Sequence, residues 1–304
     1  MTKDNILVSV IVPIYGVEEY IGKSAESLLS QTYPSLECIF VNDGTRDHSM
    51  ERLSEVVKRY PERNVKIINK ENEGLPKARE TGLKVATGEY IMHLDSDDWM
   101  EPDAVERMVE EAVRTGADLV YCDFWKEYSN RSKLDRERAY SVENKQEWMR
   151  RLYNYTAYGY IWTKLVRREL YKNIFVPRFG MHEDIVYSTQ LIFRARKIAQ
   201  LGVPLIHYRR DNPSSVSHEA RSYRRVQSAR NMLDLYAHGG PEAEVVKDNI
   251  ILRASWMAYR YDYSLFQDYP FLYGEARQLP IMPGQRILLF QQLILKCFLA
   301  THRF

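Results

Sequence analysis

The stretch "YIMHLDSDDWMEPDAV", residues 90–105, sets an apolar run against three aspartates and then against a helix-like segment. A short apolar run bounded by turn residues reads as a buried strand, here "EYIMHL". Pro102 suits a first helical position, and "PDAVERMVEEAVRTG" ends on Gly116, a residue suited to a helix C-cap. The unit is strand, acidic turn, helix. Unpaired carboxylates this close repel one another, so Asp95, Asp97 and Asp98 must have something to hold.

The same alternation runs outward in both directions. "LVSVIVPIY", "LECIFVND" and "NVKIIN" read as strands before it, and "DLVYCDF" as a fifth strand after it. Between the earlier strands lie "VEEYIGKSAESLLSQ", "HSMERLSEVVKRY" and "LPKARETGLKVA", all with helical periodicity. Apolar strands alternating with amphipathic helices predict an α/β fold with a parallel sheet covered on both faces. Ligands of such sheets sit at the carboxyl ends of the strands, here Tyr15, Asp43, Asn69 and Asp95. Residues 125–160 turn polar, charged and aromatic and read as an excursion. From "GYIWTKLVRRELY" to "SSVSH" the pattern is mixed, and after about residue 219 it is helical.

Composition narrows the class. The 304 residues carry 43 Lys and Arg against 41 Asp and Glu, a balance that argues against nucleic-acid binding through a strongly basic face. Cys38, Cys122 and Cys297 form no CxxC pair, as expected of reduced thiols in a cytoplasmic protein. "MTKDNILVSVIVP" lacks the layout of a signal peptide, and no uninterrupted apolar run is long enough to span a membrane.

The first strand-to-helix turn decides which ligand the sheet edge suits. "PIYGVEEY" has one glycine and two glutamates, so it is neither the GxGxxG dinucleotide fingerprint nor a P-loop. An acidic turn can grip a base or ribose but leaves a diphosphate to be neutralised elsewhere. Mg²⁺ or Mn²⁺ prefers few protein carboxylates together with phosphate oxygens. "DSD" is therefore expected to present Asp97 to a metal that bridges a nucleotide diphosphate. By itself such a run is more often a turn or helix cap; its place at a strand end among the other motifs favours the metal.

The stretches "VSVIVPIYGVEEYI", "SLLSQTYPSLECIFVNDGTRD", "NEGLPKARETG", "GEYIMHLDSDDWMEPDAV" and "MHEDIVY", with "IHYRRDNPSSVS" more weakly, resemble the inverting glycosyltransferases of family 2. Their order and spacing cover roughly residues 5–218. The resemblance implies a GT-A fold, Rossmann-like with a mostly parallel sheet flanked by helices. It divides the chain into a GT-A domain over 1–218, with a nucleotide-binding half at about 5–124 and an acceptor-side half at about 125–218, and a helical region over 219–304. It also implies a nucleotide-diphosphate sugar donor, a UDP-sugar before others, and a glycan or lipid-linked acceptor in a bacterial surface-polysaccharide pathway. Carried over by position, Pro13, Tyr15 and Glu18 would border the base and Asp43 would hydrogen-bond it. Asn72, Gly74, Lys77 and Arg79 would line the nucleotide. Asp95, with Ser96 beside it, would contact the ribose, and Asp97 would ligate Mn²⁺ or Mg²⁺. Asp184 of "HED" would be the general base with Glu183 beside it, and Arg210 and Ser215 would approach the diphosphate.

The chain departs from the family pattern at Asn42, Thr45 and Glu80, and it lacks the QxxRW motif of processive synthases. Transfer of one sugar per acceptor is therefore expected. Two rivals were weighed. A sugar nucleotidyltransferase would need a Gly-rich, basic first loop, and a catalytically silent sugar-nucleotide-binding scaffold of an envelope complex would need no base. His182, His207 and His218 are not spaced as a metal cluster. The tail "PGQRILLFQQLILKCFLATHRF", residues 283–304, could lie on the inner face of the cell membrane, with Arg286, Lys296 and Arg303 toward anionic lipid, or dock on its own domain or on a second copy in a homo-oligomer.

Overall fold

The computed structural model describes residues 6–213, 220–280 and 286–301. Its first half follows the predicted alternation: β1 (Val8–Ile14), α1 (Ile21–Leu29), β2 (Leu36–Asn42), α2 (Ser49–Val57), β3 (Asn64–Asn69), α3 (Leu75–Val85) and β4 (Tyr90–His93). These strands lie parallel in the order β3-β2-β1-β4. β1 is buried at every position, as its apolar sequence requires of a central parallel strand. Pro13 is tolerated there for a definable reason. Ile14 O accepts from Asp43 N on the β2 side and Ile11 O from Leu94 N on the β4 side, so the backbone of Pro13 faces β4. The last β1–β4 pair is Ile11 with His93, so β1 outruns its neighbour where the proline sits and no ladder donor is lost.

Past β4 the sheet departs from the parallel expectation. β8 (Lys164–Arg167) inserts antiparallel between β4 and β6 (Leu119–Tyr128). β6 then pairs in parallel with β9 (Ile198–Arg209), which pairs antiparallel with the two-residue β5 (Trp99–Met100). β5 and β8 are too short to leave a periodic signal, which is why the sequence reading passed over them. The polar excursion is ordered too. β6 runs on into a hairpin with β7 (Arg131–Asp135), and α5 (Lys145–Tyr153) buries Trp148 against Tyr140, their rings stacked 4.8 Å apart.

The two faces of the sheet are covered differently. Val8, Val10 and Val12 point to one face and pack with Leu28 of α1 and with Met108 of α4 (Ala104–Thr115). Ile11, Ile39 and Val41 belong to the opposite core, which also holds Trp148 of α5 and Leu191 of α6 (Glu183–Arg194). That core continues without a break into the helices beyond residue 219: α7 (Arg221–His238), α8 (Pro241–Val245), α9 (Lys247–Tyr261), α10 (Ser264–Asp268), α11 (Phe271–Gln278) and α12 (Arg286–Thr301). The helical region thus packs on α5 and α6 and shares their core. In α12, Leu295 and Leu299 are buried in this core, Gln292 Nε2 donates to Pro280 O, and Tyr273 Oη donates to Leu299 O. The described part of the tail docks on its own chain; Arg303 lies outside the described residues. Among the described residues no helix is long and apolar enough to cross a membrane.

Candidate active site

The carboxyl ends of β1, β2 and β3 form the first wall of the cleft. Tyr15, Gly44, Arg46, Asn69, Lys70, Glu71 and Asn72 line a cavity of about 760 Å³ there. Gly44 has φ +69, and a Cβ on it would meet Asn72 N at 2.9 Å, so backbone approaches backbone where only glycine fits. Asp43 is buried, and its carboxylate is spent on the neighbouring loop. Oδ1 accepts from Lys70 Nζ at 2.7 Å and Glu73 N at 3.1 Å, and Oδ2 accepts from Gly74 N at 2.8 Å. Asp43 thus holds the cavity wall and the start of α3 in place. Glu18 plays a similar part, accepting from His48 N at 2.8 Å just before α2. Lys77 is exposed and donates to Glu80 at 2.8 Å on the outer surface of α3.

The acidic turn after β4 treats its three aspartates differently. Asp98 is fully buried and accepts from Arg209 N at 2.8 Å, while its Oδ2 has no partner among the described residues. Burial first, and then the charges of Asp97 and Asp95, push its pKa well up. Asp97 is half-buried, and its Oδ2 accepts from Asn212 Nδ2 at 2.7 Å. Burial, and next the Asp95 charge, raise its pKa, the mark of a carboxylate short of positive charge. One such oxygen-rich edge fits a hard divalent cation that takes its other ligands from phosphate and water. No group of three or more His, Cys, Asp or Glu side chains forms a cation cage among the described residues. Ser96 is buried beside these residues. Arg210 is half-buried and donates to Tyr208 Oη at 2.7 Å. Ser215 lies outside the described residues.

Arg79 ties the acidic turn to the "HED" segment. It is 1% exposed, and its Nη2 donates to Asp95 Oδ1 at 2.6 Å while Nε donates to Glu183 Oε1 at 3.1 Å. Burial alone would lower its pKa, but the two carboxylates hold it up. Arg79 is therefore a buried strut between the two motifs. One guanidinium serves two carboxylates, the buried Glu183 and the part-buried Asp95. Burial pushes Glu183 up to about 8 against the pull of Arg79, so Glu183 keeps a proton near neutral pH. Asp184, its neighbour on the first turn of α6, is only half-buried. Burial raises its pKa too, while Arg79 and the buried Lys164 pull it back. Asp184 is the more solvent-open member of the pair.

The proton on Glu183 gives a pH prediction. Its folded pKa is raised above the unfolded value, so its stabilising contribution is full below the unfolded pKa, near 4.5, and is lost as pH rises through about 8. Chemical denaturation of the native chain and of Glu183→Gln at pH 6 and pH 9 should show the native chain losing more stability than the variant. Equal losses would mean that Glu183 is ionised throughout.

Asn212 and Lys164 belong to this site and escaped the sequence reading. Asn212 lies in the quoted "IHYRRDNPSSVS", but nothing local marks it as the partner of Asp97. Lys164 sits in "KLVR", donates to Tyr160 O at 2.6 Å, and has its pKa lowered by burial to about 8.

The sheet order and the cleft at its carboxyl edge define a GT-A-like protein, and comparison with known proteins agrees. The profile of "Glycosyl transferase family 2" matches residues 9–175, and the chain belongs to that family. It is 34% identical over 219 residues to the "Uncharacterized glycosyltransferase EpsJ" of Bacillus subtilis, and 36% over 210 residues to EpsH of the same organism. These matches take in 69% and 66% of this chain but only 63% and 60% of those relatives' length. Among solved structures, S. aureus TarS 1–349 in complex with UDP-GlcNAc superposes with TM-score 0.67 at 18% identity, covering 97% of this chain and 91% of that one. The mannosyltransferase PcManGT of Pyrobaculum calidifontis, in complex with GDP-Man and Mn²⁺, superposes with TM-score 0.58 at 16% identity over 97% of this chain and 86% of that one. At these identities the likeness is one of fold.

Proposed function

We propose that the protein transfers one sugar, with inversion, from a UDP-sugar to a hydroxyl of a glycan or lipid-linked acceptor. The observation that carries this reading is the Arg79 strut, which bonds Asp95 at 2.6 Å and Glu183 at 3.1 Å and so joins the donor-side acidic turn to a segment 104 residues away from Arg79. The transfer is an in-line displacement. Asp184, ionised and half-buried, takes the proton of the acceptor hydroxyl as its oxygen attacks the anomeric carbon. The nucleoside diphosphate leaves from the opposite face. Glu183, kept neutral by burial, adds no second negative charge beside the base. Tyr15 and the 70–74 loop that Asp43 holds would enclose the nucleoside in the cavity. Asp97, oriented by Asn212, would hold Mn²⁺ or Mg²⁺, and a bound cation stabilises charge on a departing diphosphate. A UDP donor is supported by the UDP-GlcNAc seen in TarS, and a divalent metal by the Mn²⁺ seen in PcManGT.

A thermal-shift panel of UDP, GDP and dTDP, alone and as nucleotide sugars, with and without Mn²⁺, tests donor and metal together. UDP should stabilise the chain most, and only with the metal. A metal-independent response, or one to another base, would revise the donor. Asp97→Asn should cut metal-dependent UDP binding at least tenfold by calorimetry and leave metal-free binding unchanged. Unaltered metal dependence would remove Asp97 as the ligand.

A further inference from the structure

Beside the "HED" segment lies a cationic cluster that the mechanism does not use. Its centre is a pair of non-glycine residues in the left-handed region, Tyr155 at φ 54 and His182 at φ 56. Strained backbone of this kind persists only where surrounding structure fixes it, and it gathers at functional sites. The two rings lie 5.1 Å apart, and Ser228 of α7 meets His182 Nδ1 at 2.8 Å. His182 is followed directly by Glu183 and Asp184.

Three arginines surround this pair. The Arg253 guanidinium of α9 lies over the Tyr155 ring at 4.9 Å. Arg224 and Arg225 stand four and three residues before Ser228 on α7, on the helix face that meets His182, and after burial their charges help depress the His182 pKa to about 4. Arg253 has its own pKa lowered, by burial first and by Arg225 as well. All three side chains are half-buried, and Arg224 Nε is shielded from solvent with no partner among the described residues. None of the three has a carboxylate ion pair among the described residues. Arginines close by do: Arg230, also on α7, pairs with Asp268 at 2.7 Å, and Arg178 pairs with Asp234 at 2.9 Å. Like charges crowded in a half-buried place without a counterion are unfavourable unless a ligand brings the anion. Guanidinium forks match phosphate and carboxylate oxygens.

We propose that Arg224, Arg225 and Arg253, with Tyr155 and His182, form an oxyanion subsite that receives a phosphate or carboxylate group of the acceptor beside the hydroxyl that Asp184 deprotonates. The word acceptor rests on the transferase reading above; the oxyanion site does not.

The test titrates the full chain, pre-saturated with UDP and Mg²⁺ so that the donor side is filled, with inorganic phosphate, glucuronate and, as a neutral control, glucose. Phosphate or glucuronate should bind and glucose should not. Arg225→Gln should weaken that binding at least tenfold, Arg225→Lys should retain most of it, and UDP affinity should be the same in all three chains. Phosphate tighter than glucuronate assigns a phosphorylated acceptor, and the reverse assigns an acidic sugar. The proposal is overturned if neither anion binds, or if the Arg225→Gln, Arg253→Gln double variant binds them as tightly as the native chain. Parallel loss of UDP affinity would also overturn it, because the arginines would then belong to the donor side. A chain that binds the anion through Arg225 but never binds UDP would refute the transferase reading while supporting the oxyanion site.

Discussion

Asp184→Asn should reduce turnover of a UDP-sugar, to acceptor or to water, by about 10²–10⁴-fold, the range expected for losing a general base. UDP affinity should remain native. The asparagine keeps the shape of the side chain and an oxygen that can still accept from Ile185 N, which meets Asp184 Oδ1 at 3.1 Å. The backbone at the start of α6 should therefore stay as it is, and only proton acceptance disappears. Steady-state kinetics beside UDP calorimetry separate the two effects. Unimpaired turnover would take Asp184 out of the mechanism, and a matching loss of UDP affinity would make it a binding residue.

Arg79→Met should cost about 1.5–3 kcal/mol of folding stability, the range for hydrogen bonds that involve a charged group, since Asp95 is part-buried and Glu183 carries a proton. Methionine fills much of the same volume and brings no charge, so the cost isolates the lost interactions with Asp95 and Glu183. The variant should also lose UDP binding out of proportion to its fraction unfolded, because the acidic turn and α6 are no longer tied together. Denaturant titration gives the first quantity, and UDP calorimetry at a temperature where the variant is folded gives the second. A change below about 1 kcal/mol would mean that Arg79 is not the strut between the motifs.

The parallel half of the sheet was readable because each of its strands and helices is long enough to show a period. β1 to β4 and α1 to α4 appear where the apolar spacing put them, and the turns that follow β1, β2 and β3 line the cavity. The antiparallel insertion was not readable. β8 is four residues and β5 is two, and neither shows an alternation that survives its context. Trp148 illustrates the same limit from the other side: a segment that looked polar holds a fully buried tryptophan because α5 is covered by α6 and α9.

At the site, the sequence named the carboxylates but not their protein partners. Asp95 was expected at the ribose and Asp97 on a metal; in the structure Asp95 accepts from Arg79, Asp97 from Asn212 and Asp98 from the Arg209 backbone. Asp43 and Glu18 were expected at the nucleobase and are found bonded to backbone N–H groups of the loops around the cavity.

The sequence alone determined the order of strands and helices in the nucleotide-binding half and the edge at which polar residues collect, because periodicity and turn chemistry are local and act within a few residues. How much water each acid loses was decided only in three dimensions. Glu183 and Asp184 are adjacent in the chain, yet one is buried against Arg79 and the other is half-buried. A carboxylate's charge depends on how much water it loses and on which cation stands nearest, and both are supplied by residues that the chain brings in from far away.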